Sequence, residues 1–136
     1  ALMISLDINH PDIEEFIDIK TDLNKITKAN ISVRITDEFM QKATGIDSNP
    51  MYKCSFTREE TGEIIVKEIN AKELFNKLCE NNWNYAEPGI LFWDKINNYN
   101  LLSEDDEFEY AGVNPCAEEP LPAGGSCLLG SFNLSE

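Results

Sequence analysis

Asn114-Pro115-Cys116-Ala117-Glu118 is the stretch on which the reading of this chain turns. An amide, a thiol and a carboxylate alternate along it. In an extended backbone, side chains two apart point the same way, so the spacing predicts that Asn114, Cys116 and Glu118 face one site. Such a site would combine a hydrogen-bonding group, a sulfur able to act as nucleophile or one-electron carrier, and a proton acceptor. Glu119, the next residue, is expected to point the other way, into solvent. Pro115 restrains the backbone, so the loop would hold its shape before a ligand arrives. A second thiol follows at Cys127.

The composition around this stretch narrows its setting. The chain has 136 residues, enough for one domain with a real core. No apolar run approaches the roughly 18 residues needed to span a bilayer, and no signal-peptide pattern is visible. The absence of an initiator Met and the end at Leu134-Ser135-Glu136 lead to the expectation of an internal piece of a longer protein. Acidic residues outnumber basic ones, 25 to 11, for a formal charge of −14. A surface this acidic repels phosphate backbones and disfavours nucleic-acid binding. The four cysteines, Cys54, Cys79, Cys116 and Cys127, form no Cys-x-x-Cys pair, and there is a single His. Zinc-finger and thioredoxin-type readings are therefore weak. Without a secretory signal the thiols are read as reduced, in a cytoplasm.

Upstream, residues 2–6 read as a buried strand. Pro11 suits the first position of a helix whose stripe is Ile13, Phe16 and Ile17, running to about Lys20. Residues 21–29 are polar and irregular. Ile31, Val33 and Ile35 alternate with Ser32 and Arg34 as in a strand, and Thr36 is a good N-cap for a short helix with Phe39, Met40 and Ala43. Tyr52, Cys54 and Phe56 alternate again, residues 63–69 are rich in β-branched side chains, and Thr61-Gly62 between them predicts a hairpin. Asn70 with Glu73 resembles a capping box before a helix carrying Ala71, Leu74, Phe75, Leu78 and Cys79 on one face. Pro88-Gly89 breaks the chain and residues 90–93 restart an apolar segment. Residues 97–109 read as an acidic surface loop. From Ala111 the many Pro and Gly residues predict an irregular loop, then a short strand near residues 128–134. Cys54 and Cys79 fit core faces, as do Phe92, Trp83 and Trp93, while His10 reads as a helix-end residue. The element order gives a mixed α/β architecture.

Gly112-Val113-Asn114-Pro115-Cys116-Ala117-Glu118-Glu119-Pro120-Leu121-Pro122, then Ser126-Cys127-Leu128-Leu129-Gly130-Ser131-Phe132-Asn133-Leu134-Ser135, resembles the active-site region of the ribonucleotide reductase large (catalytic) subunit. The pattern is most similar to the adenosylcobalamin-dependent class II branch. Ala1-Leu2-Met3-Ile4, His10-Pro11-Asp12-Ile13-Glu14-Glu15-Phe16-Ile17, Asn30-Ile31-Ser32-Val33, Thr36-Asp37-Glu38-Phe39-Met40 and Glu87-Pro88-Gly89-Ile90 also resemble that family, in its order. The resemblance covers nearly the whole chain, read as one piece, 1–136, with the active-site loop at residues 111–127.

This resemblance implies a ten-stranded α/β barrel with the Asn-Pro-Cys loop threaded through its centre, of which the chain supplies part. It implies radical reduction of ribonucleotides to 2′-deoxyribonucleotides. Cys116 would become a thiyl radical that abstracts the ribose 3′-hydrogen. Glu118 would be the general base on the 3′-hydroxyl, and Asn114 would hydrogen-bond the ribose hydroxyls or orient Glu118. Cys127 would be half of a redox pair whose other cysteine lies upstream of the segment matching Ala1. The loops reading a nucleotide effector would also precede Ala1, and much of the substrate phosphate site would follow Glu136. The parent would use adenosylcobalamin, a thioredoxin-like or glutaredoxin-like reductant, and a second copy of itself, with no metal, nucleic acid or membrane. The isolated chain is expected to be inactive.

Alternatives remain open. In a class I subunit the radical would come from a metal-containing partner, although the Cys116-to-Cys127 spacing and the Pro-Cys-Ala-Glu-Glu wording favour class II. A free Cys is by default a small buried hydrophobe, Asn before Pro a turn residue, and an acid in this chain a solvated one. On those terms the chain would be a thiol or metal-binding module, or an acidic interaction domain. Zinc prefers four ligands, and no second close cysteine pair exists.

Overall fold

Residues 3–7, Met-Ile-Ser-Leu-Asp, form the first strand, β1 (Met3–Asp7), of a computed structural model that describes residues 2–22 and 26–135. The matches made by Ala1, and the middle of the irregular 21–29 stretch, lie outside the described residues. Helix α1 (Ile13–Asp18) buries Ile13 and Ile17 as the stripe requires. It starts two residues after Pro11, with Asp12 at its N-cap position. Pro11 sits in the preceding turn, where the Ile13 amide bonds to the His10 carbonyl at 3.1 Å.

Strand β2 (Asn30–Ile35) pairs in parallel with β1 on one side and with β5 (Gly89–Phe92) on the other. A central parallel strand is covered on both faces. This explains why Ser32 is buried although it is one of the polar residues in the alternation. Gly89 stands against Ser32: a Cβ there would lie 2.7 Å from the Ser32 Oγ, so a larger residue would force the Ser32 side chain to move.

Thr36 caps α2 (Asp37–Thr44), its Oγ1 accepting from the Phe39 amide at 3.2 Å. Strands β3 (Met51–Thr57) and β4 (Ile64–Asn70) form the expected antiparallel hairpin. Gly62 supplies the positive φ of 69° that its turn needs. Asn70 caps α3 (Ala71–Tyr85), accepting from the Lys72 and Glu73 amides and donating to the Glu73 carboxylate at 3.2 Å. Val33 and Ile35 of β2, Ile13 and Ile17 of α1, Phe39 of α2, Tyr52 and Cys54 of β3, and Leu74 and Leu78 of α3 make one core. Phe39 meets Tyr52 edge-on at 5.3 Å.

Several expectations fail. Cys79 is exposed and Trp83 almost fully so, because α3 turns Leu74, Leu78 and Asn81 inward instead. Asn81 donates to the Ile17 carbonyl and to Asp18, both at 3.1 Å. Phe92 is about half exposed, and Trp93 opens a helix, α4 (Trp93–Asn98), that runs from the end of the apolar segment 90–93 into the start of the 97–109 stretch read as a loop. The closing segment is not irregular throughout: β6 (Tyr110–Val113) and β7 (Pro120–Pro122) pair antiparallel. The strand predicted near 128–134 is absent, and Leu128, Leu129, Phe132 and Leu134 are exposed. The architecture is mixed α/β, as expected. Among the described residues the strands form one parallel sheet and two hairpins, and no barrel closes. No helix of the described residues is long and apolar enough to cross a membrane.

Candidate active site

The cysteine stretch is the turn of the β6–β7 hairpin rather than an extended segment. The Asn114 amide donates to the Glu119 carbonyl at 3.2 Å, and the Asn114 carbonyl accepts from the Ala117 amide at 2.9 Å. Ala117 takes a positive φ of 67°, which reverses the chain. The expectation that Asn114, Cys116 and Glu118 share a face through strand geometry is therefore corrected: period-two alternation does not survive a turn. The Asn114 side chain faces inward and accepts from the Glu119 amide at 3.0 Å, so it shapes the turn. Cys116 and Glu118 are exposed on it.

Glu119 was missed. Instead of pointing to solvent it is half-buried, with Oε2 shielded and without a hydrogen-bond partner among the described residues. Cys127 lies beside it in the irregular tail. A hydrogen bond to the Glu119 side chain pushes the Cys127 thiol's pKa up; local desolvation and the charges of Glu119 and Glu118 add to this. Nothing in a Glu-Glu doublet signals which carboxylate turns inward; that depends on the left-handed residue at Ala117. All four cysteines are free thiols. Cys54 of β3 is fully buried in the core, donates to the Ile8 carbonyl at 3.5 Å, and has its pKa raised to about 11 by burial.

The hairpin lies against the face of β2 that carries Asn30 and Arg34. Asn30 Nδ2 donates to the Pro115 carbonyl at 3.0 Å, and Arg34 Nη1 donates to the Ala111 carbonyl at 3.3 Å. Arg34 is itself clamped: Nη2 and Nε each lie 2.7 Å from an Asp7 oxygen, and the guanidinium sits 4.9 Å from the Trp93 ring centroid. Cys116 borders a hollow of about 570 Å³ shared with Asn30, Ser32, Lys20 and Glu87. Lys20 and Glu87 form an ion pair there, and Glu87 Oε1 accepts from the Ile31 amide at 3.2 Å. A second hollow of about 570 Å³, more apolar, opens on the other side of the turn between Tyr99, Leu101, Ala117 and Pro120. No group of three or more His, Cys, Asp or Glu among the described residues is placed to hold a metal ion.

The ribonucleotide reductase barrel-domain family model matches residues 1–136 of this sequence. The chain belongs to that ribonucleotide reductase family. It is 39% identical over its whole length to a vitamin B12-dependent ribonucleoside-diphosphate reductase of Thermoplasma acidophilum. It is 34% identical over 98% of its length to a vitamin B12-dependent ribonucleotide reductase of Streptomyces avermitilis. It is also 34% identical over 99% of its length to a vitamin B12-dependent ribonucleoside-diphosphate reductase of Mycobacterium tuberculosis. The chain covers only 16–18% of the length of these three relatives. A ribonucleotide reductase segment of this extent carries the cysteine hairpin and the sheet beneath it, and about five-sixths of each relative lies outside the match.

Proposed function

We propose that this chain is the part of a ribonucleotide reductase catalytic subunit that presents the reactive thiol. The parent would convert a ribonucleoside di- or triphosphate and a dithiol to the 2′-deoxyribonucleotide, a disulfide and water. The observation that carries this reading is Cys116 on a turn built by Asn114, with Glu118 beside it and Cys127 downstream, in a chain that matches the family throughout. Cys116 would remove the ribose 3′-hydrogen as a thiyl radical and return it at the end. Glu118 would accept the 3′-hydroxyl proton. Cys127 would be one of the two thiols oxidised; a thiol that holds its proton, as this one does beside Glu119, suits hydrogen donation.

Among the described residues the parallel sheet β1-β2-β5 has strand edges open at β1 and β5. In the parent we read these as joined by further strands into a ten-stranded barrel. A barrel would enclose the turn and exclude water, which radical chemistry requires. The second redox thiol, the effector site and most of the phosphate site would belong to the rest of the subunit. With a charge of −14 this chain is a poor phosphate binder. A thioredoxin-like or glutaredoxin-like reductant, a homodimer and a cytoplasmic setting complete the reading.

The names of the relatives favour adenosylcobalamin as the parent's radical source. None of the hollows described above encloses a corrin-sized group, so no residue here is assigned to hold it. The test is ribonucleotide reduction by the full-length parent with a dithiol, with and without adenosylcobalamin. Cobalamin-dependent product supports the reading. Turnover that needs a metal-loaded partner subunit instead would place the parent in class I.

A further inference from the structure

We propose that the polar face of β2 is a seat that fixes where the cysteine turn sits, with Asn30 and Arg34 as its positioning residues. The inference rests on reading Cys116 as the reactive thiol. Side chains at Asn30, Ser32 and Arg34 share one face of the strand. The two donors stand four residues apart on β2, and their acceptors, the carbonyls of Pro115 and Ala111, stand four residues apart on the hairpin, in reverse order. The β6 segment is thus stitched antiparallel across the sheet face at both ends of its run into the turn.

Both contacts go to backbone carbonyls, so they set the path of the chain rather than recognise side chains. The Pro115 carbonyl belongs to the peptide unit that joins Pro115 to Cys116. Asn30 therefore anchors the peptide plane immediately before the reactive residue, at 3.0 Å. Arg34 is held by Asp7 and Trp93 before it reaches the hairpin, which makes it a fixed post rather than a mobile side chain. Ser32, buried between them with Gly89 tight against it, keeps this part of the sheet free of bulk. Asn30 is exposed and contributes little to the core, so its replacement separates positioning from stability.

The test uses the full-length parent with Asn30→Ala, Asn30→Asp and Asn30→Gln. A displacement of about 1 Å at a reacting atom costs about a hundredfold in rate. Asn30→Ala should lower kcat by about ten- to a hundredfold, with KM within about twofold and the thermal midpoint unchanged. Asn30→Asp keeps the shape but loses the donor, and should lose as much; Asn30→Gln keeps an amide donor and should retain more activity than Asp. Wild-type kcat in the Ala and Asp variants would overturn the seat. So would a raised KM with unchanged kcat, which would mark a substrate contact instead. Cys116→Ser, run in parallel, separates the two claims. Activity in that variant would remove the reading of Cys116, whereas an inactive Cys116→Ser beside a fully active Asn30→Ala would remove the seat alone.

Discussion

Replacing Arg34 by Met should destabilise the chain by about 2–4 kcal/mol, with a urea midpoint lowered by about 1–2 M for a slope of about 2 kcal/mol/M. The estimate follows from what the guanidinium touches. Its paired contacts with Asp7, both 2.7 Å, join side chains 21% and 47% exposed, so the pair lies between a surface and a buried one. After discounting for solvent this contributes about 1–2 kcal/mol. The cation over Trp93 adds about 0.5–1 kcal/mol, and the long bond to Ala111 falls at the low end of the usual 0.5–1.5 kcal/mol, roughly. Met keeps most of the stem, so lost packing is a minor part. The assay is urea unfolding of the wild type, Arg34→Met, Asp7→Asn and the double variant, followed by circular dichroism. Asp7→Asn should cost less than Arg34→Met, because it leaves the Trp93 and Ala111 contacts. The double variant should fall short of additivity by about 1 kcal/mol, since the two residues act on one contact. A midpoint change below about 0.3 M for Arg34→Met, or strict additivity, would mean that the Asp7–Arg34 pair does not stabilise the fold.

Leu78→Ala should cost about 2–5 kcal/mol because Leu78 is fully buried, while Cys79→Ser next to it should stay within about 0.5 kcal/mol; comparable losses in thermal melts would contradict the assigned face of α3. The Cys54 thiol, pushed by burial from the usual 9.0 to about 11, holds its proton longer folded than unfolded, so stability should fall as pH rises from about 9 to 11. Cys54→Ala should flatten that slope in urea titrations across the range. Alkylation of Cys127 by iodoacetamide, read by peptide mass, should be slowed by its raised pKa and accelerated by Glu119→Gln; an unchanged rate would show that Glu119 does not control the thiol.

Local chemistry was readable wherever a side chain acts on its own neighbourhood. Thr36 and Asn70 announced their helices because a cap needs only the next two or three amides. The Thr61-Gly62 turn did the same for its hairpin. What escaped depended on partners distant in sequence. Strand β7 begins and ends with Pro, which lacks the amide a ladder uses, and exists because β6 pairs with it. Asn81 fills a core position only because Ile17 and Asp18 meet it there, so hydrophobic periodicity gave the α3 face to Cys79 instead. In the candidate site the residue types were legible and their arrangement was not. Asn114, Cys116 and Glu118 stand out as chemistry, but the turn at Ala117 decides which of Glu118 and Glu119 is shielded. The contact from Asn30, 85 residues away from Pro115, has no local signature.

The most direct test of the central claim is deoxyribonucleotide formation by the full-length parent carrying Cys116→Ser, assayed with ribonucleotide, dithiol and adenosylcobalamin. Serine keeps the size and the turn but does not form a thiyl radical. Loss of all measurable product with an unchanged melting temperature is expected. Turnover at a tenth of the wild-type rate or more would contradict it.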